Sequence, residues 1–424
     1  MAFDKASAAG GSDADVASFA SHAPKVENHV HLDGSWDLDY LFYLIKNVVK
    51  ADSLPEHVLT PITNTQLPLR GVVEKLQADT AATPGDLRPH VTCAGDCETL
   101  PRFLEPFVFF EQIVSRSIQV DIKHLEELAF RFAKRQKESN VLYTEVRYSP
   151  QLLLTPEERE ASSPERYLRC RAMVDAVSRG LSRGEKAFQV DIRQILCCIT
   201  FFPDWAPEIE RLAEECGEVV AVDVAASELH FGHAALGPPH CRALNGAFGK
   251  GKCVTLHAGE EGPAENVLRA VRDYSAIRIG HGYHFLDDHE RVGAEVDGIL
   301  RNCSRRSSKS LHFEECPSSS WFTGGFSRQK PWTEHPLRIL YEQGRSVGIN
   351  TDDPSVMNID LNHEYVLALS KMGLRKVDLF RISCQQVDAC FCSEETKRKL
   401  KQALTEFYEE AGVSEVAAKR RKQS

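Results

Sequence analysis

The chain has 424 residues, 42% hydrophobic and 26% charged, an ordinary globular composition with length for one large α/β domain or two average ones. A formal charge of −10, with a pI near 5.9, argues against nucleic acid or an anionic membrane as the main partner, since either favours a basic surface. A small molecule is the expected partner, and protein partners stay open.

Residues 1–24 are rich in Ala, Ser, Gly and Asp and hold no apolar stretch long enough for a signal peptide, so a flexible N-terminal tail is expected. Asp4, Asp13 and Asp15 also count against a transit peptide. No run approaches the roughly 18 apolar residues of a membrane span, and a cytoplasmic protein is expected. Thirteen cysteines, with Cys197 and Cys198 adjacent in an apolar run, read as reduced thiols, and the Cys93 to Cys97 spacing makes no zinc finger.

Strand-like runs follow at Val26 to His31, Val141 to Tyr148, Val190 to Ile199, Val219 to Val224, Cys253 to His257, Ala276 to Gly280, Leu311 to Cys316 and Ser346 to Thr351. Most are short and β-branched, as in strands buried within a parallel sheet. Helical spacing recurs between them at Ser163 to Leu181, Pro207 to Cys216, Pro263 to Arg272 and Glu334 to Gln343. Eight strands alternating with helices predict an α/β fold, a (β/α)8 TIM-type barrel. The long segment from Trp36 to Asn140 should carry its own helices and cover the strand ends, and Leu361 to Tyr408 should add C-terminal helices. The domain plan is a tail at 1–24, one domain at 25–410, and a polar tail at 411–424 whose Lys419 to Lys422 run reads as solvated.

The chemistry-bearing residues cluster at the predicted strand ends. His29 and His31 close the first strand and point to one side, His257 closes the fifth, His281 follows the sixth, and Asp352 follows the eighth. Imidazole and carboxylate ligands suit zinc, and a catalytic site leaves one position for water, so His29, His31, His257 and Asp352 are the candidate ligands. The fourth strand has no lysine to bridge a second metal, so one ion per chain is expected. His281 is the candidate base, Glu260 the candidate proton donor beside His257, and Asp352 can also accept a hydrogen bond from water. Adjacent Asp352 and Asp353 repel unless a cation or donor relieves them, which leaves Asp353 free to face substrate.

The motifs HVHLDGS, EVRYSP, LHAGE, IGHGYH, FEECPSSS and NTDDP occur in order, and together they make the chain resemble the adenosine deaminases of the metal-dependent amidohydrolase superfamily over roughly Pro24 to Tyr408. The resemblance implies hydrolysis of adenosine and 2′-deoxyadenosine to inosine and 2′-deoxyinosine with release of ammonia. It implies zinc on His29, His31, His257 and Asp352, Glu260 protonating purine N1 as C6 is attacked, His281 on the attacking water, and Asp353 on N7. It also implies that Asp33 contacts the ribose 5′-hydroxyl, where relatives acting on N6-modified AMP resemble HLNGS and adenine deaminases HIEGT. His31 and Asp33 thus face substrate, and Leu100, Phe103, Leu104 and Phe107 form an apolar lid helix by the same resemblance.

Three departures stand out. The family usually has A-G-D-E where this chain has Ala225 to Glu228, so the amide facing purine N3 belongs to Ala226; Asn28 also replaces an apolar residue, and Ala51 to Glu98 is longer than expected. Other readings are weaker. The Gly246 to Cys253 run nearly matches a phosphate loop but ends in Cys and precedes a strand, and His124-Leu125-Glu126 lacks the P-C-x-x-C companion of cytidine deaminases. N6-modified AMP or adenine deamination, or nonenzymatic nucleoside binding, are the alternatives to adenosine deamination.

Overall fold

Eight parallel strands form one sheet that runs in sequence order around the centre of the molecule. The computed structural model describes residues 13–60, 62–93, 95, 97–228, 238–302 and 310–413. Ten strands occur among these: β1 Lys25–His31, β2 His57–Leu59, β3 Gln66–Pro68, β4 Val141–Tyr148, β5 Asp191–Ile199, β6 Val219–Ala225, β7 Cys253–His257, β8 Arg278–Gly280, β9 His312–Glu315 and β10 Ser346–Ile349. The sheet order is β1-β4-β5-β6-β7-β8-β9-β10, while β2 and β3 pair as a separate antiparallel hairpin. Each predicted barrel strand is present with ends shifted by at most about two residues, the usual scatter at element boundaries.

The sheet closes where its last and first strands meet. The His31 amide donates to the Asp352 carbonyl at 2.8 Å and the Asp352 amide to the His29 carbonyl at 3.1 Å. Asn350 reinforces the seam, its Oδ1 accepting from the amides of Asn28 at 2.8 Å and His29 at 3.1 Å. This is a (β/α)8-type barrel, and its seam passes through proposed metal ligands contributed by opposite ends of the chain.

Alternation along β1 is broken between Glu27 and Val30, where its pairing with β4 shifts register. Glu27 therefore meets Gln136 of the outer helix Lys123–Glu138 at 2.8 Å. His29, two residues on, reaches Glu314 on β9. Below the histidines the interior is charged rather than apolar. Arg147 pairs with Asp223 at 2.8 Å and Glu314 at 2.7 Å, and Arg278 pairs with Glu145 at 2.5 Å and Glu314 at 2.6 Å, all fully buried. Such charges are tolerable in a dry core only because each is matched by hydrogen-bonded opposite charge.

Helices wrap the barrel. Ala264–Tyr274 turns Val267, Leu268 and Val271 inward with full burial, each stabilising by roughly 1.5–3 kcal/mol. Between β1 and β4 the chain forms several helices, among them Leu38–Asn47, Arg70–Ala78, Pro84–Val91 and Glu105–Val120, together with the β2–β3 hairpin. This matches the helical cover expected for Trp36 to Asn140.

Two expectations need correction. Asp13–His22, inside the supposed tail, is a helix whose buried Phe19 packs edge-on against Tyr408 at 5.6 Å, so apolar contact with the C-terminal helix Glu394–Glu410 orders it. Cys93 and Cys97 form a disulfide rather than two free thiols, their Cα atoms standing 6.4 Å apart, within bridging distance. The basic run Lys419 to Lys422 lies outside the described residues. No helix among the described residues is long and apolar enough to cross a membrane.

Candidate metal centre

His29, His31, His257 and Asp352 converge at the carboxyl ends of the strands, with one ligand atom from each lying within 4.8 Å of all the others. Asp352 Oδ1 is 3.1 Å from His29 Nε2 and 3.3 Å from His31 Nε2, and the Nε2 atoms of His31 and His257 stand 3.2 Å apart. Glu314 accepts from His29 Nδ1 at 2.8 Å, so His29 presents the unprotonated Nε2 to the centre, a buried atom with no hydrogen-bond partner. Behind His257, Asp223 Oδ2 lies 3.0 Å from Nδ1. Three imidazole nitrogens and a carboxylate facing one point, with carboxylates behind two of the rings, fit a divalent cation of the kind bound by mixed nitrogen and oxygen ligands. A second, overlapping group takes His281 and Cys316 with His29 and Asp352. Burial pushes the Cys316 thiol well above its usual range, which disfavours the thiolate a metal needs.

Arg147 ties the two orienting carboxylates together, since one guanidinium bonds both Asp223 and Glu314. Ser319 donates to Asp352 Oδ2 at 2.7 Å, leaving Oδ1 toward the histidines. Backbone strain is concentrated here as well. Asp352 and His281 adopt φ of 65° and 64°, a left-handed region uncommon for such residues and found mostly at sites that a surrounding structure over-determines. Gly34 permits the packing above them: a Cβ at that position would collide with the Asp353 carboxyl group.

His281 and Glu260 flank the cluster. Tyr283 donates its one hydroxyl proton to the Cys316 carbonyl at 2.9 Å, so its oxygen accepts from His281 Nδ1 at 2.8 Å. That arrangement leaves His281 Nε2 as the unprotonated nitrogen, 3.6 Å from Glu260 and 3.9 Å from Asp352. Burial, then the charges of Asp352, Glu228 and Glu261, push the Glu260 carboxyl well above its usual range, favouring the protonated acid. Glu228 fixes the backbone around it, accepting from the amides of Glu260 at 3.2 Å and Gly262 at 2.7 Å. Asp353 is buried and likewise pushed upward, first by burial and then by Asp352, and its Oδ1 has no hydrogen-bond partner.

A cavity of about 440 Å³ opens from this cluster, and every residue assigned to substrate from sequence lines it: His31, Asp33, Leu100, Phe103, Leu104, Phe107, Ala226 and Asp353. Ala226 stands at φ 82°, so the methyl group sits where glycine would be unstrained. Burial, followed by the charge of Glu111, pushes Asp33 up to about 7. A larger cavity of about 730 Å³ beside Glu27 and Arg135 contains none of the metal-competent groups.

Residues 73–407 match the adenosine deaminase family. The chain belongs to that family. Bovine adenosine deaminase (Bos taurus) is 31% identical over 393 residues, covering 92% of this chain and 95% of that protein. Among solved structures, an amidohydrolase from Burkholderia ambifaria with bound zinc superposes with a TM-score of 0.71 at 18% identity, covering 95% of this chain and 94% of its own. The Arabidopsis N6-mAMP deaminase gives a TM-score of 0.67 at 22% identity, covering 91% and 98%. These two likenesses are of fold. Family, barrel and metal-competent cluster together make the chain a hydrolase-type deaminase enzyme.

Several members of the site were missed in sequence. Glu314 and Arg147 lay inside quoted motifs, and Asp223 sits alone in an otherwise apolar strand, a polar residue needing a buried partner. The contribution of Pro55 to Thr60 and of Glu111 and Arg159 to the cavity left no local trace.

Proposed function

We propose that the protein deaminates adenosine and 2′-deoxyadenosine to inosine and 2′-deoxyinosine, within purine metabolism. Residues 25–410, with the helix packed before them, act as one catalytic domain. His29, His31, His257 and Asp352 would hold one zinc ion. Bound there, the ion supplies a Lewis acid that makes water a usable nucleophile near neutral pH.

The remaining steps belong to side chains. His281 Nε2, fixed as an acceptor by Tyr283, takes a proton from the attacking water and returns it to the 6-amino group, which leaves as ammonia when the C6–N bond breaks. Glu260, kept protonated by burial, delivers a proton to purine N1 as C6 becomes tetrahedral. Asp353, its carboxyl kept protonated by burial, donates to N7 and so orients the ring. Leu100, Phe103, Leu104 and Phe107 exclude water above the base.

One observation carries the nucleoside reading: Asp33 lines the cavity with a buried Oδ1 that has no hydrogen-bond partner. A sugar hydroxyl would satisfy it whether it donates or accepts, whereas a phosphate would set a further anion beside Glu111 and a carboxyl already pushed up to about 7. N6-modified AMP or adenine is the second reading, supported by the fold likeness to an N6-mAMP deaminase. To separate them, zinc-loaded protein is given adenosine, 2′-deoxyadenosine, AMP, N6-methyl-AMP and adenine separately, with purine products resolved by chromatography. Inosine and deoxyinosine are the expected dominant products. Faster turnover of N6-methyl-AMP or adenine than of either nucleoside replaces the first reading with the second, and no turnover by folded, metal-loaded protein removes both.

A further inference from the structure

The cavity carries a charge arrangement away from the metal cluster that the proposed chemistry does not use. Arg159, at the end of the short helix Pro156–Arg159, is the one arginine or lysine among the described residues lining it. Its Nη2 pairs with Glu111 Oε2 at 2.7 Å and also donates to the Leu152 carbonyl, while Nε donates to the Leu154 carbonyl at 3.1 Å. Both side chains are mostly buried, at 19% and 12% exposure, so solvent screens the pair weakly. The cation is thus held in place and its charge cancelled. Asp33 lines the same cavity, and burial together with the charge of Glu111 holds its carboxyl up at about 7.

We propose that Glu111 and Arg159 form a charge gate that sets which group the cavity accepts at the sugar 5′ position, admitting a neutral hydroxyl and rejecting a phosphomonoester. The inference rests on the nucleoside reading and deepens it. Glu111 is the deciding member, because it occupies the guanidinium that would otherwise offer a phosphate a bidentate partner. With the Arg159 charge already matched by Glu111, an arriving phosphate finds no unpaired arginine or lysine among the described residues lining the cavity. A hydroxyl finds the open Oδ1 of Asp33 as its acceptor. Neither gate residue lies on a barrel strand or touches a proposed metal ligand, so substrate choice and metal binding are separable.

The test uses full-length, zinc-loaded protein as wild type, Glu111→Gln and Arg159→Met. Dissociation constants for inosine and for inosine 5′-monophosphate are measured by calorimetry, alongside kcat/KM for adenosine and AMP. Glu111→Gln keeps the shape and a hydrogen bond to Arg159 while releasing its charge, and should raise monophosphate preference over nucleoside at least tenfold in both readouts. Arg159→Met should move the same ratio the other way by severalfold, and it decides the matter should Glu111→Gln misfold. Unchanged ratios, or shifts of reversed sign, in folded protein overturn the gate. Wild-type preference for AMP over adenosine would instead overturn the nucleoside reading, while the opposed shifts of the two variants would still report on the gate.

Discussion

At the metal end of the cavity, His29, His257 and Asp352 are each held from behind by Glu314, Asp223 and Ser319 in turn, and two of these carboxylates are locked together by Arg147. In another part of the cavity wall Glu111 and Arg159 come from helices outside the barrel, joined by one ion pair and two carbonyl contacts. The first region is over-determined and can bear strained backbone at His281 and Asp352; the second depends on few contacts. The metal-competent residues stand at strand ends that cannot shift independently, whereas Glu111 and Arg159 stand on elements outside the barrel strands.

Deleting the proton donor should give the largest effect. Glu260→Gln is expected to lower kcat by about 10²–10⁴-fold, with zinc content unchanged by elemental analysis; activity within tenfold of wild type would remove Glu260 from the acid role. One layer back, Asp223→Asn should weaken zinc affinity by about 10–100-fold in competition with a chelator. Undiminished affinity there would mean that His257 needs no orienting carboxylate. Phe103→Ala, on the lid, should raise the KM for adenosine about tenfold while zinc stoichiometry stays intact, and a loss of metal instead would contradict the separation of the two regions.

Two smaller effects concern stability. Burial raises Glu364 to about 8 from 4.5, so the folded state binds the proton more tightly than the unfolded chain. That contribution is complete below 4.5 and is lost as pH rises through about 8. Glu364→Gln should therefore flatten the decline in melting temperature across this window, and an unchanged slope would show that the carboxyl group is not proton-linked to folding. His335 has the opposite sign: burial lowers it to about 3 from 6.5, so its contribution is complete above 6.5 and is lost as pH falls toward 3. The smallest effect expected is Ala226→Gly. Relief of the φ of 82° should stabilise by about 1 kcal/mol, read from urea unfolding, and destabilisation would mean that the methyl packs favourably enough to outweigh the strain.

Legibility differed along the same division. The eight barrel strands were readable because burial on both faces demands short β-branched runs, and the metal-competent cluster because its residue types recur at the ends of those runs. That Asp33, Leu100, Phe103, Leu104 and Phe107 line one cavity was readable through the family motif. Glu111 and Arg159 were not, since the helical spacing of Glu105–Val120 and the short Pro156–Arg159 turn carry no mark of what they face. Cys93 and Cys97 gave only a spacing, which does not tell a disulfide from two thiols until the turn geometry is known.

By itself the amino-acid order determined the fold class, the family and the residue types able to hold a metal, because strand periodicity and motif spacing are properties of the chain's own covalent sequence. Tertiary structure alone decided which carboxylate stands behind which histidine, which tautomer His281 adopts, and that Glu111 spends the charge of Arg159. Those are matters of a few ångströms between residues tens to hundreds of positions apart, and only the closed barrel and its covering helices set such distances.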